Sequence, residues 1–201
     1  MNKEVAKVIL ATFSDANYLD RTSGVVQVFQ RVVEVEEGVS VVKRIPYSDS
    51  ATYQETALMS KAMIPNSNFK SCLYFEDFGI TPAGFNASRS GFLSRLRVVC
   101  WLNMDRIAGA HNTAFAAAIQ GDLMKRIKSV MNYSNETFYR MTAKIAGIPV
   151  QSDAIFANYD YDQAATQYLF PPYDYFAIDI ETTFEVADKC IESFVDQIVN
   201  D

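Results

Sequence analysis

Apolar and polar residues change period several times along this chain, and each change marks an element. Val5, Val8, Ile9 and Phe13 recur at helical spacing, which predicts a short amphipathic helix over 3–13. After "SDANYLDRTSG" the chain turns valine-rich. "GVVQVFQRVVEVEEGVSVVKRIPY" predicts two strands, about 25–35 and 39–45, joined by a tight hairpin with Gly38 at a positive φ. Residues 46–70 carry loop signals at both ends with a helical turn between. "SCLYFEDFG" alternates as a strand, and "ITPAGFNASRSG", rich in Gly, Pro, Ser and Asn, predicts a long mobile loop over 80–91. "FLSRLRVVCWLN" returns as a strand, so that the two strands and the loop make an extended hairpin. Leu93, Arg95, Arg97, Val99 and Trp101 share one face of the second strand; Phe92, Ser94, Leu96, Val98 and Cys100 share the other. Glu76 and Asp77 are expected to face Arg95 or Arg97 across the hairpin, at a few tenths of a kcal/mol if solvated.

"HNTAFAAAIQGDLMKRIKSVM" reads as the clearest helix. Phe115, Ile119, Leu123, Ile127 and Val130 form its apolar stripe, Asn112 or Thr113 caps its start, and Gly121 costs about 1 kcal/mol against Ala. A second helix is expected over 134–146, opening with Ser134 and Glu136 and stopped by Gly147 and Pro149. "IPVQSDAIFANYD" reads as a short strand and loop. Residues 158–176 then hold five Tyr and two Phe among nineteen. On a Pro-bearing segment that density suits packing against another surface, or a loop folded over its own core. A strand over 175–186 places Phe176, Ile178, Ile180, Thr182, Phe184 and Val186 on one side. Tyr175, Ala177, Asp179, Glu181, Thr183 and Glu185 fall on the other. "ADKCIESFVDQIV" predicts a closing helix with Ile191, Phe194, Val195, Ile198 and Val199 on one face. Together these elements predict one α/β (α+β) domain over 1–201: a mostly antiparallel sheet with a long β-hairpin, two to three helices packed on one face, and extended loops 46–70, 80–91 and 147–174.

With 49% hydrophobic and 13% aromatic residues the 201-residue chain can bury a substantial core. A formal charge of −6 and scattered Lys and Arg, the tightest group being Arg89, Arg95 and Arg97, argue against a nucleic-acid grip. The N-terminal apolar segment is too short and interrupted for a signal peptide, and no run approaches a membrane span. Cys72, Cys100 and Cys190 are odd in number and widely spaced, which suits a reducing compartment and buried apolar roles. His111 is the sole histidine, without clustered Cys, so neither a metal site nor a cofactor is expected. "GDLMKRIK" lacks the second glycine and the Ser or Thr of a phosphate loop.

The one stretch with a catalytic look is "AIDIETT", which resembles the first motif of the DEDD 3′–5′ exonucleases. Two-metal phosphodiester hydrolysis needs three or four carboxylates and a His or Tyr to orient water. Residues 182–201 supply Glu185, Asp188, Glu192, Asp196 and Asp201 but no His or Tyr. The strand reading accounts for Asp179 and Glu181 as a wet acidic face instead. No catalytic residue is therefore expected.

The order of elements resembles the tail-terminator, neck and ring proteins that join portal to tail in tailed bacteriophages. The resemblance rests on an N-terminal helix, a Val-rich hairpin, the long hairpin ending in "RLRVVCWLNMD", the helix "TAFAAAIQGDLMKRIK" and the late strand "PYDYFAIDIETTFEV". Strand, Trp, helix and a late aromatic–acidic strand also recur in small proteins of crAss-like phages of gut Bacteroidetes. The longer 46–70 and 147–174 segments favour a larger ring or neck component. The resemblance implies a non-catalytic virion protein, made in the bacterial cytoplasm, forming a six- or twelve-fold homo-oligomeric ring with portal, ring and tail neighbours. DNA would pass through its channel unbound, and no membrane is involved. Interface candidates are Trp101, Phe85, Tyr159, Tyr161, Tyr168, Phe170 and Tyr173; Asp179, Glu181 and Glu185 are candidates for an acidic channel surface. The alternatives are a metal-dependent 3′–5′ exonuclease using Asp179 and Glu181, or a non-catalytic adaptor of a mobile element.

Overall fold

A computed structural model describes residues 1–35, 39–48, 62–86, 88–109, 113–149, 153–156, 158–159 and 170–187. The fold is α+β: the described residues form six strands in one mixed, mostly antiparallel sheet and three helices. In chain order these are α1 (Asn2–Ala11), β1 (Thr22–Val35), β2 (Val39–Ser48), β3 (Ser71–Asn86) and β4 (Arg89–Asn103). Then follow α2 (Met104–Ala108), α3 (Thr113–Ser129), β5 (Arg140–Gly147) and β6 (Tyr173–Ala187), with a 3₁₀ turn at Asp153–Phe156. The strand order is β2-β1-β3-β4-β6-β5, and only β1 and β3 run parallel.

The period-2 pattern of β4 and β6 places the core. Leu96, Val98, Cys100 and Leu102 of β4 join Phe176, Ile178, Ile180, Phe184 and Val186 of β6 on one face of the sheet. Onto this face α1 lays Val5, Ala6 and Ile9, and α3 lays Ala116, Ile119, Leu123 and Ile127, all buried. Tyr18 and Arg126 tie the two helices' ends: the Tyr18 hydroxyl donates to Asp122 Oδ2 at 2.6 Å, and Arg126 Nε donates to the same oxygen at 2.6 Å. These hydrogen bonds hold the Asp122 carboxyl below its ordinary pKa. Asn103 caps α2, its side chain accepting from Arg106 N, and Gly109 closes the helix at a left-handed φ of 73°.

Among the described residues, the opposite face is covered at the end where β4 runs into α2. There Cys72, Tyr74, Val99, Trp101 and Ala177 are roofed by Met63, Ile155, Phe156 and Tyr159. Cys72 and Cys100 are buried free thiols, and burial pushes the Cys72 thiol up to about 12. Cys190, the hairpin tip with Gly38, His111, Asn112 and the expected closing helix lie outside the described residues, as does most of the helical turn expected within 46–70.

Four expectations are corrected. Residues 80–91 are not a loop: β3 and β4 pair almost to their tips, to Asn86↔Arg89. The glycines are used inside the ladder, Gly79 and Gly84 taking φ of 99° and 140° next to its two register shifts. Residues 134–146 hold no helix. Asn135 Oδ1 accepts from Thr137 N and Phe138 N at 2.9 and 2.7 Å in a local turn, and β5 then pairs with β6. Its alternation, Met141 and Ala143 buried and Lys144 exposed, is decided by that pairing. Phe115 stands off the apolar stripe, 49% exposed. In place of a strand in 148–160, the described residues hold the 3₁₀ turn.

Candidate functional site

The carboxylates of "AIDIETT" sit on the second face beyond that cluster, toward the tip of the β3–β4 hairpin. Register sets Asp179 opposite Arg97, and Glu181 opposite Arg95. Arg97 grips Asp179 with two bonds, Nε to Oδ1 at 2.6 Å and Nη2 to Oδ2 at 3.2 Å, both side chains being largely shielded. Arg95 Nε meets Glu181 Oε1 at 3.2 Å, and Arg89 Nη1 lies 3.7 Å from Glu185 Oε2. On the far side β5 sets Lys144 opposite Glu181 and Arg140 opposite Glu185. The face is therefore a ladder of alternating charge, not an acidic strip. Asp179 and Glu181, two residues apart on one strand, are separated by about 7 Å along it and each faces its own arginine. Among the described residues no three His, Cys, Asp or Glu side chains gather as a metal site would require.

The aromatic candidates separate by burial. Trp101 is 1% exposed and stacks on Tyr173 with centroids 5.1 Å apart and planes 23° from parallel. Tyr159 is also buried, meeting Tyr74 edge-on at 5.9 Å. Both belong to the second core, so neither offers an outer surface. Phe170, at 68% exposed, does. Phe85 lies opposite Ser90 in the β3–β4 ladder; Tyr161 and Tyr168 fall outside the described residues.

Glu76 is the residue whose setting the sequence concealed. It was expected to face Arg97 across the hairpin, and the register does place it there. Its side chain is nevertheless 6% exposed, and neither carboxylate oxygen has a well-formed hydrogen bond. Burial raises its pKa, while the adjacent Tyr159 hydroxyl, Asn158 amide and Arg97 partly offset the rise. Asp77, one residue on, points to the helical face, where Asn2 Nδ2 donates to it.

Main-chain edges supply a second kind of site. An unpaired strand edge is a template for another chain, and proteins usually cover it. The β5 edge is covered by the segment before it: Tyr133 and Met141 exchange N–H···O bonds at 2.9 and 2.7 Å, and Ala143 N donates to Val130 O at 2.8 Å. The β2 edge is covered at its foot by Met63 N, which donates to Pro46 O at 2.7 Å, and by an Ala62–Tyr47 bridge. Beyond those points no described strand pairs with the β2 edge. β1 last meets β3 at Val25↔Phe75, yet it continues beside β2 to Val35↔Val39. From Gln30↔Arg44 outward, among the described residues, no third strand pairs with either member of this ribbon. Its six pairs extend about 20 Å.

No described helix is long and apolar enough to cross a membrane. The chain matches no protein-family model, and a search of curated proteins finds no similar sequence.

Proposed function

We propose that this chain is a non-catalytic structural subunit that assembles with copies of itself, as a ring component in the neck or tail of a bacteriophage particle. The β1–β2 ribbon carries this reading. A two-stranded ribbon without a third strand is marginal in water. This one runs six pairs beyond the sheet, from Gln30↔Arg44 to Val35↔Val39, and pairs Val32 with Val42, Val33 with Val41 and Val35 with Val39. Such an arm is stabilised when it lies against another molecule, while the capped edges of β5 and the β2 foot limit pairing elsewhere. Arms reaching onto the next subunit form repeated heterologous contacts, and such contacts close a ring when the rotation between subunits permits.

The charge ladder on β4, β6 and β5 fits the same role. Arginines paired with Asp179, Glu181 and Glu185 leave little free positive charge to hold phosphates, so DNA would pass such a surface without adhering. The ring symmetry and its portal and tail neighbours belong to the same proposal, resting on the order of elements described above. Negative-stain imaging of the purified chain, alone and mixed with portal rings, tests it together with mass spectrometry of purified particles. Closed rings and presence in the particle are expected; a chain absent from particles that forms no discrete oligomer overturns the proposal.

A further inference from the structure

Glu76 lies where the second core meets a cleft of about 300 Å³, lined by Val26 and Val28 of β1 and by Asn158 and Tyr159 among others. Its side chain is 6% exposed, and neither carboxylate oxygen accepts a well-formed hydrogen bond. We infer that Glu76 is a pH-sensitive latch: uncharged, it lets Ile155, Phe156 and Tyr159 close over the second core, and when it ionises that roof lifts. A charged carboxylate needs water or donors that this setting does not supply in full. The strands cannot make way for water, because β3 and β4 pair without a break on both sides of Glu76, from Ser71↔Leu102 to Asp77↔Leu96. The roof is held by ring contacts instead, Tyr159 on Tyr74 at 5.9 Å and Phe156 on Tyr175 at 5.4 Å. Lifting it is the opening that costs the fold least.

The charged and titratable groups facing Glu76 are Arg44 from β2, Arg97 from β4, Asp179 from β6 and Tyr159 from the roof, with Asp77 its neighbour in β3. Arg97 gives Nε and Nη2 to Asp179 and lies over the Phe78 ring. The bond to Asp179 keeps Arg97 charged and burial keeps the Tyr159 phenol protonated, so neither follows Glu76 through neutrality. Burial raises the pKa of Glu76 under the closed roof, and opening returns it toward the ordinary carboxylate range. The opening constant therefore climbs with pH between those two values and is level on either side of them. Above that window the aromatic surface of Tyr74 and Trp101 becomes accessible to a partner. The latch works within one chain and does not depend on self-assembly.

Two thiols report the two faces. Cys72 belongs to the roofed cluster and Cys100 to the core under the helices, and both are buried and free. Maleimide labelling of the full chain from pH 5 to pH 8, read for each cysteine by peptide mass spectrometry, measures the opening of each face. The ratio of the two rates cancels the ionisation that an opened thiol needs in order to react. Labelling of Cys72 relative to Cys100 is expected to rise at least tenfold across this range in the wild-type chain. It is expected to stay flat in Glu76→Gln, with circular dichroism confirming that the variant is folded. A flat ratio in the wild-type chain overturns the latch, whether both thiols stay protected or both open together by global unfolding. A rise that persists in Glu76→Gln assigns the opening to another group and overturns it as well.

Discussion

Replacing Leu123 with Ala removes a fully buried side chain from α3, on the helical face of the sheet. The lost transfer energy and the cavity together cost about 3 kcal/mol. With a urea dependence of about 2 kcal/mol per molar, the unfolding midpoint falls by about 1.5 M. The informative readout lies on the other side of the sheet. Trp101 is the only tryptophan in the chain and is buried in the second cluster, so its fluorescence reports that face alone. Strand β4 carries both faces: Leu96, Val98 and Cys100 point to the helices, while Val99 and Trp101 point away. Loss of packing under α3 must therefore release Trp101 at the same urea concentration. Fluorescence and far-ultraviolet circular dichroism should give coincident transitions, both shifted by Leu123→Ala. A Trp101 transition that stays put while the circular dichroism transition moves would refute the claim that one sheet couples the two cores.

Three further outcomes follow from the second face. Because burial raises the folded pKa of Glu76, its stabilising contribution is full below the unfolded pKa and declines as pH rises through the folded one. Glu76→Gln should therefore gain stability relative to wild type between pH 4 and pH 8, with urea midpoints as the measure; a pH-independent difference contradicts the burial. Double-mutant cycles should give a coupling of about 1 kcal/mol for the shielded, two-bonded Arg97–Asp179 pair and only tenths for the open Arg95–Glu181 pair. The reverse order would show that the ladder is not organised by burial. Phe170→Ser should leave the unfolding free energy within about 0.5 kcal/mol while weakening self-association, since an exposed ring stabilises little within one chain. A folding defect without an association defect would place Phe170 in the core.

What could be read from the sequence was whatever a strand or helix decides within its own length. The faces of β4 and β6 follow from alternation alone, so the positions of Asp179 and Glu181 and the sidedness of Trp101 were readable, and so was the α1 stripe. Strand β5 was not, because Ser134, Glu136, Gly147 and Pro149 carry local helix-boundary chemistry while the deciding term is pairing with β6, some forty residues on. Residues 80–91 misled for a related reason: their glycines serve register shifts in a ladder that β6 supports from the other side. Glu76 looked like one more acid on a wet face. Its burial depends on Tyr159, from a segment eighty residues away, and on the third strand beside it. The ribbon was half visible: valine spacing revealed the hairpin, but how far it outruns β3 depends on where β3 leaves β1.

The central claim, that the ribbon is an assembly arm, is tested most directly by shortening it. Gln30–Arg44 can be replaced by Asn-Gly, since Phe29 and Ile45 face each other in register and a two-residue turn closes such a pair. Light scattering across a concentration series would then compare this variant with the full chain. The account predicts a discrete closed oligomer for the full chain, and a folded monomer with unchanged Trp101 fluorescence for the shortened one. An oligomer of the same size without the arm would contradict it.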